Sequence, residues 1–331
     1  MFNSIKKEKT LFLILLIVVL FTSCSDKKTK VALAASKGNI NSLTIIINDQ
    51  LWNGEIGDSL RKKFAAPVDG LSQEEPLFTI NQYSIKALEG NKILGRNIVI
   101  IKKEEKNNFE IIENEFAKPQ KIIHISGKNN FQILENLENN IDFILKIFKE
   151  NEINENQKLI KTSLLDDEKI NKKFKIAIKL PSSYKYVLEK PNFIWLKKEI
   201  LSGNNSILIY SVPFKTILKN DDLTNNIIKM RDSFGSMYIH SKVKNSRMIT
   251  EESYSPYFFN TILDGKRTYE TKGTWELKGD FMSGTFINYA ILDQKKRKFI
   301  VIEGFCYAPS TEKRNLMHEL ESIIKSTKFL K

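Results

Sequence analysis

The chain has 331 residues, 41% of them hydrophobic and 27% charged, with a formal net charge of +13 at pH 7. That balance is globular, not that of a disordered chain, and the length allows one or two domains. Two cysteines and three histidines, none of them clustered, exclude a disulfide framework and a structural zinc site.

Lys6, Lys7 and Lys9 precede the uninterrupted apolar run LFLILLIVVLF from Leu11 to Phe21. A spanning helix needs about 20 such residues, so the run reads as a secretory signal. Thr22, Ser23 and Cys24 follow it. The arrangement resembles the bacterial lipoprotein signal, in which the cysteine thiol receives a diacylglyceryl group and cleavage leaves it as the first residue. That family places Leu three residues before the cysteine; here the place holds Phe21, with Leu20 one step earlier. The expectation is a signal peptide over 1–23, lipidation at Cys24 and a polar tether over 24–41. Ser25 rather than Asp after the cysteine points, by analogy with other lipoproteins, to the outer membrane. Surface display goes with an acidic run after the cysteine, and Asp26 followed by Lys27 and Lys28 is a poor version of one, so the periplasmic face is expected. Residues 1–23 carry three Lys and one Glu, so the mature body keeps a net +11.

LTIIIN from Leu43 predicts a buried strand. Trp52, Ile56, Leu60 and Phe64 then recur every four residues, the stripe of a short amphipathic helix, weakened at Gly54 and Gly57. Ala66-Pro67 and Asp69-Gly70 predict turns. Short strands are expected at 77–80, 97–102, 109–116 and 120–126, with a helical turn at 84–89. A long helix follows, its stripe made of Phe131, Leu134, Leu137, Ile141, Ile144 and Phe148. The polar NEINEN at 151–156 is expected to break or bridge it, with helix again over 158–165. The result is an α+β lobe over 42–165 with helices on one sheet face.

A dense charge run near 165–173 marks the boundary to a second lobe over 166–331. FKIAIKL from Phe174 alternates as a strand should. Strands are expected at 186–188, 193–198 and 207–212, then a helix at 223–234 capped by Asn220, Asp221 or Asp222. Five more strands follow at 247–252, 258–263, 268–277, 284–292 and 299–308, with a tight hairpin at Asp264-Gly265. A helix over 311–328 directs Leu316, Leu320, Ile323 and Ile324 inward. The fold class is therefore α+β, with two mixed sheet-plus-helix lobes. The second is an antiparallel sheet closed by a C-terminal helix, an order that resembles the PsbP and Mog1 modules.

Five blocks fall in order along the chain: LWNGEIGDSLRKKFAAPVDGL from Leu51, FAKPQ from Phe116, NFIWLKKE from Asn192, GTWELKGDFMSGTFINY from Gly273 and EGFCYAPSTEKR from Glu303. They resemble the lipoproteins of Bacteroidetes-type bacteria grouped as domain of unknown function 4837. The resemblance implies an exported, lipid-anchored protein and carries no chemistry with it.

No catalytic constellation emerges. His124, His240 and His318 form no metal-ligand pair. There is no GxSxG elbow. Ser182 with Lys185 matches SxxK without its partner motifs, and Gly90 to Gly95 lacks the Lys-Ser/Thr of a phosphate loop. Cys306, on an apparent strand, reads as a small buried hydrophobe. Lys295-Lys296-Arg297-Lys298 is the densest basic run and falls in a hairpin turn, without a nucleic-acid module around it; no nucleic-acid partner, cofactor or metal is expected. The aromatic stretch 254–289 reads first as sheet core with cross-strand pairs. Its functional alternative is a concave face of Tyr257, Arg267, Trp275, Asp280 and Phe281 that takes a ligand or an envelope protein. Trp52, Arg61 and Trp195 are weaker candidates. The sequence thus predicts a binding or assembly module tethered to the envelope membrane. A hydrolase of envelope polymers working through an unidentified pair of carboxylates is the alternative.

Overall fold

Isoleucine-rich runs are stiff at χ1 and pack well on pleated surfaces, and in this chain they become the centres of two sheets. The computed structural model describes residues 32–88 and 91–330. Cys24 and the signal lie outside them.

In the first lobe, β1 (Ser42–Ile46), β2 (Thr79–Tyr83), β3 (Asn97–Lys103), β4 (Asn108–Glu113) and β5 (Lys121–Gly127) pair in the order β2-β1-β3-β5-β4. All neighbours are parallel except β4 on β5. Parallel strands are buried on both faces and read as continuous apolar runs, which explains NIVII at 97–101. Val99 and Ile101 face the helices, whereas Ile98 and Ile100 face a smaller cluster closed by Ile85, Leu88 and Phe116.

The helices are α1 (Asp49–Trp52), α2 (Glu55–Phe64) and α3 (Asn130–Ile160). Trp52 therefore ends a separate turn, and the expected single stripe starts at Ile56. Gly57 is required at the join: a Cβ there would lie 1.7 Å from the Trp52 carbonyl oxygen. Helix α3 runs unbroken through NEINEN. Its Glu152 is fully buried and accepts from Arg96, Asn97 Nδ2 and the Asn41 backbone N–H at 2.7–3.0 Å. A polar run mid-helix is thus an internal anchor, not a breaker. Phe131, expected inward, is exposed, and Ile133 takes its place.

The charge run at the lobe boundary is helix α4 (Glu168–Phe174), with Ile170 and Phe174 buried one turn apart. The strand expected over 174–180 shrinks to β6 (Ile176–Ala177). Next come β7 (Lys185–Lys190), β8 (Phe193–Ile200), β9 (Gly203–Pro213), α5 (Phe214–Ile217) and α6 (Leu223–Tyr238), the last capped by the Asp222 carboxylate. Strands β10 (Arg247–Thr250), β11 (Tyr257–Leu263), β12 (Lys266–Lys278), β13 (Ser283–Asp293) and β14 (Lys298–Tyr307) complete the sheet. Helix α7 (Arg314–Ile324) and β15 (Lys328–Phe329), paired with β6, end the chain. The sheet is antiparallel throughout, in the order β10-β12-β13-β14-β9-β8-β7, with β11 also on β12. Asp264 and Gly265 both have positive φ, as a two-residue hairpin requires.

Alternation divides the long strands between two cores. Ile287, Tyr289 and Ile291 of β13 meet α7, α4 and the end of α3. Phe286 and Ala290 face the other way, toward α5 and α6. Helix α7 sits close on β14 because Gly304 offers no side chain: a Cβ there would lie 2.8 Å from Leu320 Cβ.

Candidate functional site

The two lobes meet along α7. A helix N-terminus leaves several backbone N–H groups without partners. In α7 two of these, at Lys313 and Arg314, donate at 2.7 and 2.8 Å to the carboxylate of Glu75, which the first lobe supplies. Arg314 Nη1 also donates to the Pro76 carbonyl, and Gln157 Nε2 donates to that of Ser322. Residues 35–331 accordingly form one compact unit.

Beside this seam lies a cavity of about 100 Å³, lined by apolar groups and by Asp69, Lys149, Lys272, His318 and Glu321. The Asp69-Gly70 turn closes one side. Gly70 has φ +82°, and a Cβ on it would lie 2.9 Å from Lys272 Cβ, so both the turn and the close approach call for glycine. Lys272 Nζ pairs with Glu270 at 2.8 Å, and Lys325 Nζ with Glu321 at 2.6 Å. Burial works against the Glu321 carboxylate, but Lys272 and Lys325 outweigh it and hold the group well below the usual carboxylate range. Burial likewise opposes the Lys272 ammonium, and Glu321 with Glu270 raises it above the ordinary lysine value. Lys149, at the mouth, is lowered by desolvation and then by Lys272. Lys272, Lys325, Glu270 and Glu321 therefore satisfy one another. A space of this volume holds about three waters, too little for a polymer substrate.

His318 is lowered first by burial, with Glu321 and Glu152 acting the other way, and its Nε2 has no hydrogen-bond partner among the described residues. The sign of the pH effect follows. A histidine lowered on folding binds its proton more readily in the unfolded chain, so the stability it contributes is present above pH 6.5 and is lost as pH falls below it. Glu321, also lowered, adds a second loss below pH 4.5. Urea midpoints are expected to fall between pH 7.5 and 5.5, and His318→Gln to flatten that window while leaving the more acidic loss.

The residues expected to form one aromatic face do not share one. Trp275 is 1% exposed; its Nε1 donates to the Cys306 carbonyl at 3.2 Å, and its ring meets Phe305 edge-on. It belongs to the core because β12 is covered by α6 on that side. Tyr257 is half exposed on β11, opposite Lys272. Phe281 is fully exposed in the β12–β13 turn, where Asp280 Oδ1 accepts its N–H. Lys272 and Lys278 are six positions apart on β12, about 20 Å of strand, so Tyr257 and Phe281 lie far apart. Arg267 sits near the opposite end of β12, 5.1 Å over the Tyr269 ring. Arg61 lies over Trp52 at 4.4 Å, and Trp195 donates to Ser206. Burial pushes the Cys306 thiol up to about 11, which leaves it inert at neutral pH.

Edge strands differ in character. On one side of the sheet β7 carries Lys185, Glu189 and Lys190, which guard it. On the other, β11 pairs only with β12 among the described residues and exposes Tyr257, Phe259 and Ile262. The seam and this edge were hidden from sequence reasoning, since both depend on which strands end up outermost. Among the described residues, no group of three or more His, Cys, Asp or Glu side chains could hold a metal, and no helix is long and apolar enough to cross a membrane.

Residues 163–326 match the family model described as Domain of unknown function (DUF4837). The C-terminal lobe belongs to the DUF4837 family. Residues 36–161 match a second model, Domain of unknown function (DUF8532), so the boundary between the two matches falls just after α3. No curated protein sequence matches the chain. Among solved structures, the Saccharomyces cerevisiae Ran-binding protein Mog1p is similar at 12% identity, covering 47% of this chain and 90% of its own, with a TM-score of 0.31. LpqN of Mycobacterium tuberculosis, described as involved in cell envelope biogenesis, is similar at 12% identity over 47% of this chain and 83% of its own, with a TM-score of 0.29. The α+β architecture of the DUF4837 lobe stands on its own strands: an antiparallel sheet with α7 closing one face.

Proposed function

We propose that this protein is a non-catalytic binding or assembly module of the cell envelope. It is held at the periplasmic face of the outer membrane by lipid on Cys24, and it takes an extended segment of an envelope protein along β11. The observation that carries this reading is the asymmetry of the sheet edges. Open edges are templates for strand addition, and proteins guard the ones they do not use. The charged β7 edge is guarded; the β11 edge carries Tyr257, Phe259 and Ile262. The hydrolase reading would need an acid with a raised pKa in an open cleft. Glu303 is raised, by burial, but it is 1% exposed and paired at 3.1 Å to Arg231, whose guanidinium lies over the Phe286 ring.

A photo-crosslinking residue at Phe259 in the native cell is expected to give a discrete adduct, while the same residue at Val187 on the opposite edge gives none. Equal yields at both positions, or none at either, would sink the docking edge. Intact mass of the membrane-extracted chain, read beside Cys24→Ala, tests the anchor separately: residues 24–331 plus acyl chains, lost in the variant.

A further inference from the structure

A second cleft, of about 570 Å³, opens at the far end of the DUF4837 sheet. It is lined by Phe214 and Leu218 around α5, Arg267 of β12, Leu292 of β13, and Gln294 and Arg297 of the β13–β14 turn. Its floor is apolar: Phe214, Leu218 and Leu292 are partly buried extensions of the core beneath α6. Its polar lining consists of two guanidiniums and one amide, with no carboxylate.

Three features set these arginines apart from ordinary surface cations. First, neither guanidinium has an acidic partner among the described residues, although eighteen ion pairs occur elsewhere among them. Second, each is held over an aromatic ring, Arg267 over Tyr269 at 5.1 Å and Arg297 over Phe214 at 4.8 Å. Such contact fixes a guanidinium while leaving N–H donors to spare. Third, Arg297 has φ +50°, a left-handed backbone that L-residues other than glycine rarely adopt. The turn thus places arginine where glycine or asparagine would be easier. Lys295, Lys296 and Lys298 flank it, and the turn's own acid, Asp293, accepts the Lys296 backbone N–H. Four consecutive cations repel one another, a repulsion that a bound anion would relieve.

We infer that this cleft binds a phosphate group carried on an apolar moiety. The arginine forks match phosphate oxygens, Gln294 supplies a further donor, and the floor of Phe214, Leu218 and Leu292 receives the apolar part. Ile262, directly opposite Arg267 in the β11–β12 ladder and 74% exposed, extends that floor outward as a lip. The ligand could be soluble or the headgroup of an anionic lipid; the chemistry is shared, and the experiment separates the two. Apart from Ile262, which borders both, the cleft is built from residues outside the docking edge.

The test titrates the full chain in nonionic detergent with phenyl phosphate, and separately with mixed micelles containing phosphatidylglycerol or phosphatidylcholine. Wild type is compared with Arg267→Gln, Arg297→Gln and the double variant. The control, Lys242→Gln with Lys244→Gln, removes two charges from a distant loop. Each arginine removed is expected to weaken binding about tenfold, with the control within twofold of wild type. Response to phenyl phosphate identifies a soluble phosphate ester. Response confined to phosphatidylglycerol micelles identifies a lipid headgroup. If the double variant binds every probe as wild type does, or the control loses as much as the double variant, the site is overturned. Because both arginines are exposed, thermal unfolding of the variants should match wild type, so a loss of binding reports the site.

Discussion

Replacing Glu152 by alanine is expected to destabilise the chain by about 3–5 kcal/mol, the range for removing one partner of a buried ion pair. The carboxylate is 0% exposed and Arg96 is 4% exposed. Without Glu152 the guanidinium stays buried with only the carbonyls of Gly38 and Asn39 to receive it. The Asn41 N–H and Asn97 Nδ2 lose their acceptor as well. The double variant Arg96→Met/Glu152→Leu should recover the part of the loss that comes from the unpaired guanidinium, and keep the cost of the two donors left without Glu152. Urea unfolding of wild type, single and double variants checks this. A single variant within 1 kcal/mol of wild type would mean that water reaches the site and that α3 is not anchored there.

Phe148→Ala is expected to cost about 3–5 kcal/mol as well, by a different route. Phe148 is 0% exposed and lies at the centre of the first core, 6.2 Å from both Phe64 and Phe78, the latter edge-on. Those partners come from α2 and from the segment leading into β2, which are pinned in place by backbone bonds such as Phe78 N–H to the Phe64 carbonyl. They cannot collapse into the void, so the lost transfer energy and the cavity both count. Phe148→Leu should cost less than half as much. Phe148 and Glu152 stand one helical turn apart, so the two alanine variants combined should depart from additivity.

Much of the fold was legible from local signals. Period-four spacing at Ile56, Leu60 and Phe64 gave α2, and alternation with turn chemistry gave the hairpin at Asp264-Gly265 together with the strands around it. The misreadings share one cause. NEINEN reads as a helix breaker because polarity signals solvent, yet Asn151 and Glu152 are buried against Arg96 and Asn97, which lie 54–56 positions away. The charge run near 165–173 reads as a lobe boundary because Ile170 and the following Phe174 are too few to announce a helix before the core that receives them is known. Trp275 reads as a candidate ligand contact, but which face of a strand meets a helix is set by register, and register is set by partners.

The candidate sites depend on tertiary structure in the same way. Arg267 stood out in the sequence, and so did the basic turn at 295–298, but nothing in a linear reading joins them; the antiparallel pairing of β12, β13 and β14 brings their ends to one corner. The guarded and unguarded edges exist only once the strand order is fixed. By itself, then, the sequence determined the secondary structure of its strongly periodic segments, the α+β class and the family of its C-terminal lobe, because those rest on short-range spacing and on residue identity. Tertiary structure alone decided which charges are buried, which edge is open and where arginines go unpaired, because those follow from contacts between residues far apart in the chain.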